Sequence, residues 1–577
     1  MPPDVPQPDL VSPTVDNVAG AYLALLADRG IEYLFGNAGT DFAPIVEAMA
    51  QAQHNGMPVP QPITAVHEHL ALSMAHGYAM TSGKTGAVMV HVSVGTANGI
   101  CAAMNAAREN VPLLFTAGRT PILEEGMPGH RTSAIHWGQE MFDQAGMVRE
   151  FVKWDYELRS AEQVETIVDR ALAVAQTEPK GPVYLSLPRE VLAAPVSSFG
   201  FTSPVRRVAA TPAGPDPVAV DHLAQRLLAA EHPVLITSNL GRDEIAVAKL
   251  AEFAEICAVP VVQYRARYLN LPCDHPMHGG YEPAPFLEEA DFVVVLESDV
   301  PWVPAITRLR DDCYVVHAGH DPLFLRYPVR GFRCDAALTT GAGRLLEALT
   351  LRLAGRIDDA VLDARRARMS VHRTQRAEER GARLDAVRSL SPMHPAWVSH
   401  CLSHALDDEA IVVNEYPLST EFCGFSRPGG FFASSTASGL GWGFGAALGA
   451  KLAHPERLVV ATLGDGAYMF SNPLAGHYAA RQNDLPILVV VFNNAMWNAV
   501  RRATRGMYPN GHAARSEVPA YTKLDHLPAF EDVCVAAGGH GERVEAPQAL
   551  PGALERAIEA VTREKRQALL NVMCGVS

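Results

Sequence analysis

The segment LVVATLGDG at residues 458–466, together with the segment ILVVVFNN at residues 487–494, indicates how this chain folds. Each segment begins with a short apolar run that is rich in valine and bounded by Gly or Pro, which is typical of a buried parallel strand. The 26 residues between Gly466 and Asn493 are enough for a crossover helix. The two segments therefore predict a βαβ unit with polar side chains at the carboxyl ends of both strands, the edge at which open α/β sheets bind ligands.

The polar residues at this edge have the chemistry of a metal and phosphate site. Asp465 and Asn494 offer hard oxygen ligands, which suit Mg²⁺ bridging to a diphosphate. Gly464 and Gly466 let the backbone approach a phosphate closely. The same residues also fit two ordinary strand-end turns, in which Gly, Asp and Asn are common. The motif alone leaves both interpretations open.

The composition favours a soluble enzyme of several domains. A length of 577 residues predicts three or four domains of about 150 residues. The net charge of −15, without any basic tract, argues against nucleic acid and anionic membrane as partners. Nine scattered cysteines without a CxxC pair fit a reducing compartment. The first ten residues lack a signal-peptide pattern and no apolar run approaches about 20 residues, so we expect a cytoplasmic protein.

Alternating helical and strand patterns divide the chain into three consecutive α/β domains with mostly parallel sheets. We predict these domains at residues 1–190, 216–350 and 390–577, with a charged, solvated helical link at 356–388. Further strands are predicted at Gly86–Val92, Val111–Ala117, Pro233–Thr237, Val259–Gln263, Phe292–Leu296, Tyr314–His317 and Ile411–Val413.

A carboxylate stands at a second position of interest, in Val66-His67-Glu68-His69, just before a helical run. A Glu at a helix start is most often a favourable partner of the helix dipole. The neighbouring residues are apolar, and an apolar pocket can keep a carboxyl group protonated. The sequence around Glu68 therefore permits either a structural or a proton-transferring role.

Motifs spread over most of the chain resemble those of thiamine diphosphate (ThDP)-dependent decarboxylases and carboligases, such as benzoylformate decarboxylase and, more loosely, acetolactate synthase and benzaldehyde lyase. They are FGNAGTDFAPIVEAM (35–49), VHEHLALSMAHGYA (66–79), HVSVGTANGICAAMNAARENVPLLFTAG (91–118), VKWDYEL (152–158), GPVYLSLP (181–188), NEYPLST (414–420), TASGLGWGFGAALGAKLAHPERLVVATLGDG (436–466) and VVFNNAMW (490–497).

The resemblance implies a pyrimidine-binding, a central and a diphosphate-binding domain, in that order. It implies a homo-oligomer, at least a dimer and more specifically a tetramer. Each active site is then shared, with Glu68 from one subunit and Asp465 from another. The expected function is a ThDP- and Mg²⁺-dependent lyase that cleaves C–C bonds next to a carbonyl, by non-oxidative decarboxylation of a 2-oxo acid with carboligation as a further activity, or by cleavage of a 2-hydroxy ketone.

The resemblance also assigns cofactor contacts, residue by residue. It implies that Mg²⁺ binds the side chains of Asp465 and Asn494 and the backbone carbonyl of Met496. Backbone amides of Gly466 and Ala467 would bind the diphosphate. The other implied cofactor contacts are Asn37, Gly39, Glu68, Ser438, Leu440 and Gly464.

Four residues are the implied catalytic set. ThDP needs a carboxylic acid against the N1′ nitrogen of its aminopyrimidine, and Glu68 matches that acid. His91 matches an active-site histidine that transfers protons, although a histidine inside a strand is often only a core residue. Thr40 lies in the loop implied to face the substrate, and it could instead cap the following helix. Gln139 falls near a glutamine that lines the site in the benzaldehyde lyase-like members.

Departures from the benzoylformate decarboxylase pattern concern the substrate pocket. Its second active-site histidine is missing, and Trp302 could fill that space. After the second motif, the implied pocket positions carry Ala499, Val500 and Ala503, which are smaller than the lining residues expected for an aryl 2-oxo acid. Arg501 and Arg502 could bind a carboxylate or could be a solvated pair. The segment 506–522 is predicted to be a polar loop that could close over the site.

Other functions remain open at this point. An acetolactate synthase-like carboligase is the nearest alternative, and FAD binding to the central domain is undecided. A catalytically inactive ThDP-binding protein is possible, although the presence of Glu68, Asp465 and Asn494 argues against it. A dinucleotide-dependent oxidoreductase is weakly indicated, because Gly441–Ala446 fits GxGxxA without a preceding strand. A nucleotide phosphate loop is weaker still, because the spacing from Gly77 to Lys84 is one residue too long.

Overall fold

The computed structural model describes residues 9–516 and 519–576. In this part of the chain lie three six-stranded sheets in which every pair of neighbours is parallel. The predicted α/β class with three consecutive domains is confirmed. The strands of the sheets lie within residues 33–188, 233–339 and 411–573, while the domain boundaries themselves stay a prediction.

The first sheet has the strand order β3-β2-β4-β5-β7-β6, and β1 pairs with β8 in a separate antiparallel ribbon. The strands are β1 Asp9–Val11, β2 Tyr33–Asn37, β3 Gln61–Thr64, β4 Gly86–Val90, β5 Leu113–Arg119, β6 Asp155–Glu157, β7 Val183–Pro188 and β8 Phe201–Ser203. The helices are α1 Val18–Asp28, α2 Ala43–Asn55, α3 Glu68–Ser82, α4 Val92–Arg108, α5 Ile135–Gly138, α6 Val164–Gln176 and α7 Arg189–Ala193.

The second sheet has the order β11-β10-β9-β12-β13-β14. Its strands are β9 Pro233–Thr237, β10 Val261–Val262, β11 His278–Gly280, β12 Phe292–Leu296, β13 Tyr314–Gly319 and β14 Ala336–Thr339. Its helices are α8 Pro217–Ala229, α9 Glu244–Cys257, α10 Ala284–Leu287 and α11 Ala342–Leu353, followed by the long helix α12 Asp359–Val387. Helix α12 buries only Arg365 and Met369, so the predicted solvated helical link is present.

The third sheet has the order β16-β15-β17-β18-β20-β19. Its strands are β15 Ile411–Glu415, β16 Phe431–Ala433, β17 Val459–Gly464, β18 Leu488–Asn493, β19 His540–Val544 and β20 Ala568–Met573. Its helices are α13 Pro395–Ala405, α14 Trp442–Ala453, α15 Asp465–Phe470, α16 Pro473–Gln482, α17 Asn498–Met507, α18 His512–Arg515, α19 Phe530–Ala536 and α20 Leu550–Thr562. Short 3₁₀ turns lie at Thr40–Phe42, Ala145–Met147, Ala161–Gln163, Leu240–Arg242 and Thr420–Phe422.

Three local predictions need correction. The segment 506–522 is not simply a polar loop, because it contains the end of α17 and all of α18; its residues 517 and 518 lie outside the described part of the chain. The crossover between β17 and β18 consists of two helices. Trp302 is buried and packs its ring on Phe332 in the core of the central domain, so it does not fill a place in the substrate pocket.

Helices α3 and α14 bring the first and third sheets together within one chain. A Cβ on Gly77 would lie 2.0 Å from the carbonyl oxygen of Ala446, and a Cβ on Gly449 would lie 1.9 Å from that of Met74. Only glycine fits at such contacts, so the two helix backbones pack directly against each other. One apolar cluster runs through this interface and includes core residues of both sheets. The start of α3 and the loop before α14 are thereby held in a fixed relation.

Two chain-wide properties complete the description. All nine cysteines are free, as the scattered spacing predicts. Within residues 9–516 and 519–576, no helix combines the length and the apolar character that crossing a membrane requires.

Candidate active site

The first half of the site is built around Glu68, the first residue of α3, whose exposed fraction is 6%. The Nδ2 atom of Asn37 donates a hydrogen bond to Oε1 of Glu68 at 2.9 Å, and Nδ2 of Asn98 donates to Oε2 at 3.1 Å. Two carboxamides thus face the carboxylate, in addition to the apolar neighbours that the sequence indicates. Both of its oxygens are held in a defined direction.

His91 lies beside this carboxylate, one residue beyond the end of β4, and not inside the strand as the sequence suggested. Its Nδ1 lies 2.5 Å from Oδ1 of Asp41, and its Nε2 lies 3.2 Å from Nε2 of Gln139. The hydrogen bond to Asp41 raises the pKa of His91, and the charge of Glu68 adds to the effect. The imidazole is thus oriented by one neighbour and kept in its charged form to higher pH than usual.

Asp41 and Asn98 are the two residues of this half that sequence reasoning missed. Asp41 is buried and also accepts a hydrogen bond from the backbone N–H of Val92. Its signal was an acidic residue directly after Gly39-Thr40, in a loop already assigned to the site. Asn98 follows His91 by seven residues, so two helical turns place both near the same face of α4.

The other predicted residues of the first half have different surroundings. A Cβ on Gly39 would lie 2.1 Å from Nδ1 of His91, so only glycine lets the loop approach the imidazole. Gln139 accepts a hydrogen bond from the hydroxyl of Ser93 through its backbone carbonyl. Thr40 is exposed and does not cap the next helix, because Phe42 occupies the N-cap position of α2. Its contact with substrate stays a prediction.

The second half of the site lies at the carboxyl ends of β17 and β18. Asp465 is buried, and its Oδ1 accepts from the backbone N–H of Gly466 at 2.7 Å. Its Oδ2 accepts from the backbone N–H groups of Asn494 at 3.1 Å and Met496 at 3.4 Å. Burial raises the pKa of Asp465, while these N–H groups oppose the rise. The βαβ unit thus brings Asp465, Asn494 and Met496 together as predicted from their strand ends.

Close packing shapes this half as well. A Cβ on Gly466 would lie 2.1 Å from the ring of Trp497, so the first turn of α15 and the segment after β18 touch. Gly464, by contrast, has open space where a Cβ would lie. Ala467 is buried in the first turn of α15. The N–H of Gly466 donates to Asp465 here, a bond that a bound diphosphate would compete for.

The loop before α14 is a further element of the candidate site, beside the two halves. Ser438 is exposed and has a left-handed φ of 57°, and Leu440 is half-buried. The buried Glu415 accepts from the backbone N–H groups of Gly441 at 2.7 Å and Gly443 at 2.6 Å. Burial raises the pKa of Glu415 to about 7, and the two N–H groups reduce the rise. The carboxyl group therefore ties the loop to the end of β15.

Arg501 and Arg502 lie on α17, a helix that buries none of its residues. Ala499, Val500 and Ala503 are exposed on the same helix. Within the described residues, neither arginine forms an ion pair. The structure therefore leaves both sequence interpretations of this pair open.

The oxygen groups of the second half fit a hard divalent cation. Carboxylate, carboxamide and backbone carbonyl are the ligand types that Mg²⁺ accepts, and carboxylate oxygens keep lone pairs beyond those used by the N–H groups. Among residues 9–516 and 519–576, no cluster of three or more His, Cys, Asp or Glu side chains could hold a metal. None of the residues that donate a hydrogen bond to Glu68 in the bonds described above also donates one to Asp465.

Comparisons with known proteins agree with this geometry. Residues 16–147 match the family described as thiamine pyrophosphate enzyme, N-terminal TPP binding domain, and residues 416–572 match its C-terminal TPP binding domain. The chain is similar to benzoylformate decarboxylase of Pseudomonas aeruginosa, with 28% identity over 94% of this chain and 97% of the relative. It is also similar to acetolactate synthase isozyme 3 large subunit of Escherichia coli, with 25% identity over 97% of this chain and 95% of that relative.

A solved structure shares the fold across almost the whole chain. The thiamine diphosphate-dependent 4-hydroxybenzoylformate decarboxylase of Rhodococcus jostii RHA1 aligns with a TM-score of 0.77 and 23% identity. The alignment covers 97% of this chain and 99% of that one. At this identity the likeness concerns the fold.

Proposed function

Because the chain belongs to the thiamine pyrophosphate enzyme family, we propose that it is a ThDP- and Mg²⁺-dependent lyase that decarboxylates a 2-oxo acid without oxidation. The observation that carries this proposal is the presence of two side chains that can transfer protons, Glu68 and His91, in the first half of the site. Glu68 is buried and held by two carboxamides, and His91, which is close enough for the charge of Glu68 to raise its pKa, bonds Asp41 through Nδ1. A site that only bound the cofactor would not need the second group.

The second half would hold the cofactor. Asp465, Asn494 and the backbone carbonyl of Met496 are suited to bind Mg²⁺ and, through it, the diphosphate. Ser438 and Leu440 would contact the two rings. When bound, ThDP supplies a nucleophilic carbon and an electron sink for the bond that breaks as CO₂ leaves.

Glu68 would face the pyrimidine nitrogen of bound ThDP and would exchange a proton with it. Asn37 and Asn98 keep both carboxyl oxygens from rotating, so the proton is presented in one direction. A positioned acid of this kind contributes about 10²–10⁴-fold to a rate. Every substrate depends on this step, because it precedes substrate chemistry.

His91 would supply the proton that the aldehyde product needs after CO₂ has left. Asp41 accepts from Nδ1 and leaves Nε2 as the atom that faces Gln139 and the site. The raised pKa favours the protonated form of the imidazole. Gln139 would orient either the imidazole or the substrate carboxylate.

We also propose that the enzyme is a homo-oligomer, at least a dimer and more specifically a tetramer, with Glu68 and Asp465 of one site on different subunits. Mixing Glu68→Gln and Asp465→Ala subunits tests this arrangement. In shared sites, a mixed dimer contains one intact site and one site with both defects. Activity should return to about a quarter of the wild-type level at equal mixing, whereas sites within one chain would stay inactive.

A substrate screen tests the reaction itself. Purified protein with ThDP and Mg²⁺ is incubated with aliphatic and aryl 2-oxo acids, with and without an acceptor aldehyde, and CO₂ and organic products are measured. Release of CO₂ with an aldehyde product supports the decarboxylase. An acetohydroxy acid from pyruvate would favour the synthase-like carboligase, the second candidate, to which the chain is similar over 97% of its length. Absence of any ThDP-dependent turnover would contradict both.

A further inference from the structure

The loop 433–441, which precedes α14, is bound by all three domains of the same chain. The backbone N–H of Ala433 donates to the carbonyl of Arg267 at 2.8 Å, and the hydroxyl of Thr436 donates to Oδ2 of Asp299 at 2.8 Å. These two contacts come from the central domain. Further contacts come from Asn105, on α4 of the pyrimidine domain, and from Glu415, at the end of β15 in the third sheet.

Asn105 uses both ends of its carboxamide on this loop. Its Nδ2 donates to the carbonyl of Gly439 at 2.8 Å. Its Oδ1 accepts from the backbone N–H of Gly439 at 3.0 Å and from the hydroxyl of Ser435 at 3.1 Å. The side chain is 2% exposed, so these bonds are shielded from water. One side chain thereby fixes the peptide groups on both sides of Gly439.

The loop has no room to shift toward α4. A Cβ on Gly439 would lie 2.7 Å from Sγ of Cys101 and 2.9 Å from the carboxamide of Asn105. Ser438, directly before it, has the left-handed φ of 57°, which costs free energy for a residue with a Cβ. Such a conformation persists only where surrounding contacts enforce it. The N–H of Ser438 donates to the carbonyl of Ser435 at 3.1 Å, and Asn105 holds both Ser435 and the adjacent Gly439.

A second arm holds the loop from the other side. Arg267 is buried and pairs with Asp299 at 2.9 Å and with Glu109 at 3.1 Å. Tyr327 donates to the same Asp299 oxygen that Thr436 contacts, at 2.8 Å. Glu109 follows Asn105 by four residues and is the C-cap of α4, so both arms start from the same helix and its carboxyl end.

We propose that Asn105 is a positioning residue that holds Ser438 and Leu440 where the rings of the cofactor bind, and thereby sets the affinity for the organic part of ThDP but not for its diphosphate. This proposal rests on the proposed function of the loop. The diphosphate and metal ligands Asp465 and Asn494 take their hydrogen bonds from backbone groups of α15 and the β18 turn, with no contribution from Asn105. Without Asn105, the loop would have to become ordered when ThDP binds, and this ordering would lower affinity.

Calorimetry with two probes tests this division. ThDP with Mg²⁺ and inorganic pyrophosphate with Mg²⁺ are titrated into wild-type protein and into Asn105→Ala. We expect the Kd for ThDP to rise about tenfold, as loss of buried hydrogen bonds of ordinary strength predicts, and the Kd for pyrophosphate to stay within about twofold. Asn270→Ala is the matched control, because Asn270 is a buried asparagine that bonds Gly241, Ser238 and Tyr268 in the central domain.

Two further measurements keep the test decisive. Asn105→Asp retains the acceptor for Gly439 and Ser435 but loses the donor, so its Kd for ThDP should lie between those of wild type and Asn105→Ala. Hydrogen exchange of residues 433–441 in the cofactor-free protein should accelerate in both variants and not in Asn270→Ala. If Asn105→Ala does not fold, Ser435→Ala removes one of the same bonds and should show the same selective loss in smaller measure.

Two results would overturn the proposal: an equal loss of ThDP and pyrophosphate affinity, or an unchanged Kd for ThDP in Asn105→Ala together with unchanged loop exchange. Failure of the proposed function has a different signature, because wild-type protein would then not bind ThDP at all. In that case the hydrogen-exchange comparison alone decides whether Asn105 orders the loop, and unchanged exchange would refute the proposal.

Discussion

The first and third sheets have the same strand order but carry different chemistry at the same edge. Counted within each sheet, the order is second, first, third, fourth, sixth, fifth in both. The connections reverse direction between the first and third strands, which is where such sheets bind ligands. In the first sheet these two strands lead into Asn37 and His91, and in the third sheet into Glu415 and Asp465. The strand order therefore sets the position of both half-sites, and the side chains at the strand ends determine the chemistry of each.

The two key carboxylates are also held by different means. Glu68 receives its hydrogen bonds from side-chain amides of Asn37 and Asn98. Asp465 receives its bonds from backbone N–H groups of its own turn and of the β18 turn. The geometry at Asp465 therefore follows from the fold, whereas that at Glu68 depends on two further residues. This contrast predicts that substitutions around Glu68 can adjust the rate of proton transfer. Around Asp465, where the backbone supplies the hydrogen bonds, substitution of the carboxylate should largely abolish cofactor binding.

The largest effect is expected at Glu68. Glu68→Gln keeps the shape of the side chain but cannot share an acidic proton, so kcat/KM should fall by at least about 10³–10⁴-fold for every substrate. The Kd for ThDP should change little, because the other half holds the cofactor. Steady-state kinetics and calorimetry on the same preparation measure both. An equal loss in His91→Ala, uniform across substrates, would contradict the separate roles of the two residues.

The next largest effect is expected in the binding half. Asp465→Ala removes a metal ligand, and the Kd for ThDP should rise by about 100-fold or more while its dependence on Mg²⁺ weakens. Calorimetry with and without a chelator measures this change. If Asp465→Ala bound ThDP normally but lost turnover, the assignment of binding to the third sheet would be wrong.

A smaller effect with a characteristic pH dependence is expected at Asp41. Asp41→Asn removes the interaction that raises the pKa of His91, so the pKa should fall. The protonated imidazole is lost as pH rises through its pKa, and the alkaline decline of kcat should therefore move to lower pH. At neutral pH we expect a loss of about tenfold. A pH–rate profile that does not move would show that His91 does not supply the proton.

The smallest effect concerns stability and lies at Glu415. Its folded-state pKa of about 7 lies above the usual value, so the folded state binds a proton that the unfolded state releases between about pH 4.5 and 7. Stability should therefore fall as pH rises through this window. Glu415→Gln should make the decline of Tm shallower by calorimetric scanning, while Glu109, whose pKa burial also raises to about 7, maintains part of it.

Strands that coincide with an apolar run were predicted, whereas short polar strands were not. Strands β9 and β12 begin and end where predicted. Strands β17 and β18 each begin and end one residue after the apolar runs 458–463 and 487–492 that predicted them. Strands such as β6 and β11 were not predicted, because each has three residues with little apolar character and gains its place only by pairing with a longer neighbour. Burial of a long run is a local signal; a short strand is stabilised by its partners.

The residues of the candidate site also divide into those that the sequence predicted and those that it did not. Glu68, His91 and Gln139 were predicted, and the structure brings them together. Their supports, Asp41, Asn98 and Asn105, were not predicted, because a polar residue on a helix or in a loop is usually a solvated one. Trp302 shows the opposite error. Because the expected histidine is missing, Trp302 was predicted to fill its place in the substrate pocket, but it packs in the core of the central domain.

The sequence by itself determined the fold class, the family and the residues with reactive or metal-binding groups, because these depend on residue types at short, fixed spacings. Only the tertiary structure decided which groups touch. The orientation of His91 by Asp41 spans 50 positions, and the grip of Asn105 on Gly439 spans 334. Contacts at such separation arise from the packing of whole sheets and helices, above all the glycine contacts between α3 and α14, and no local pattern encodes them.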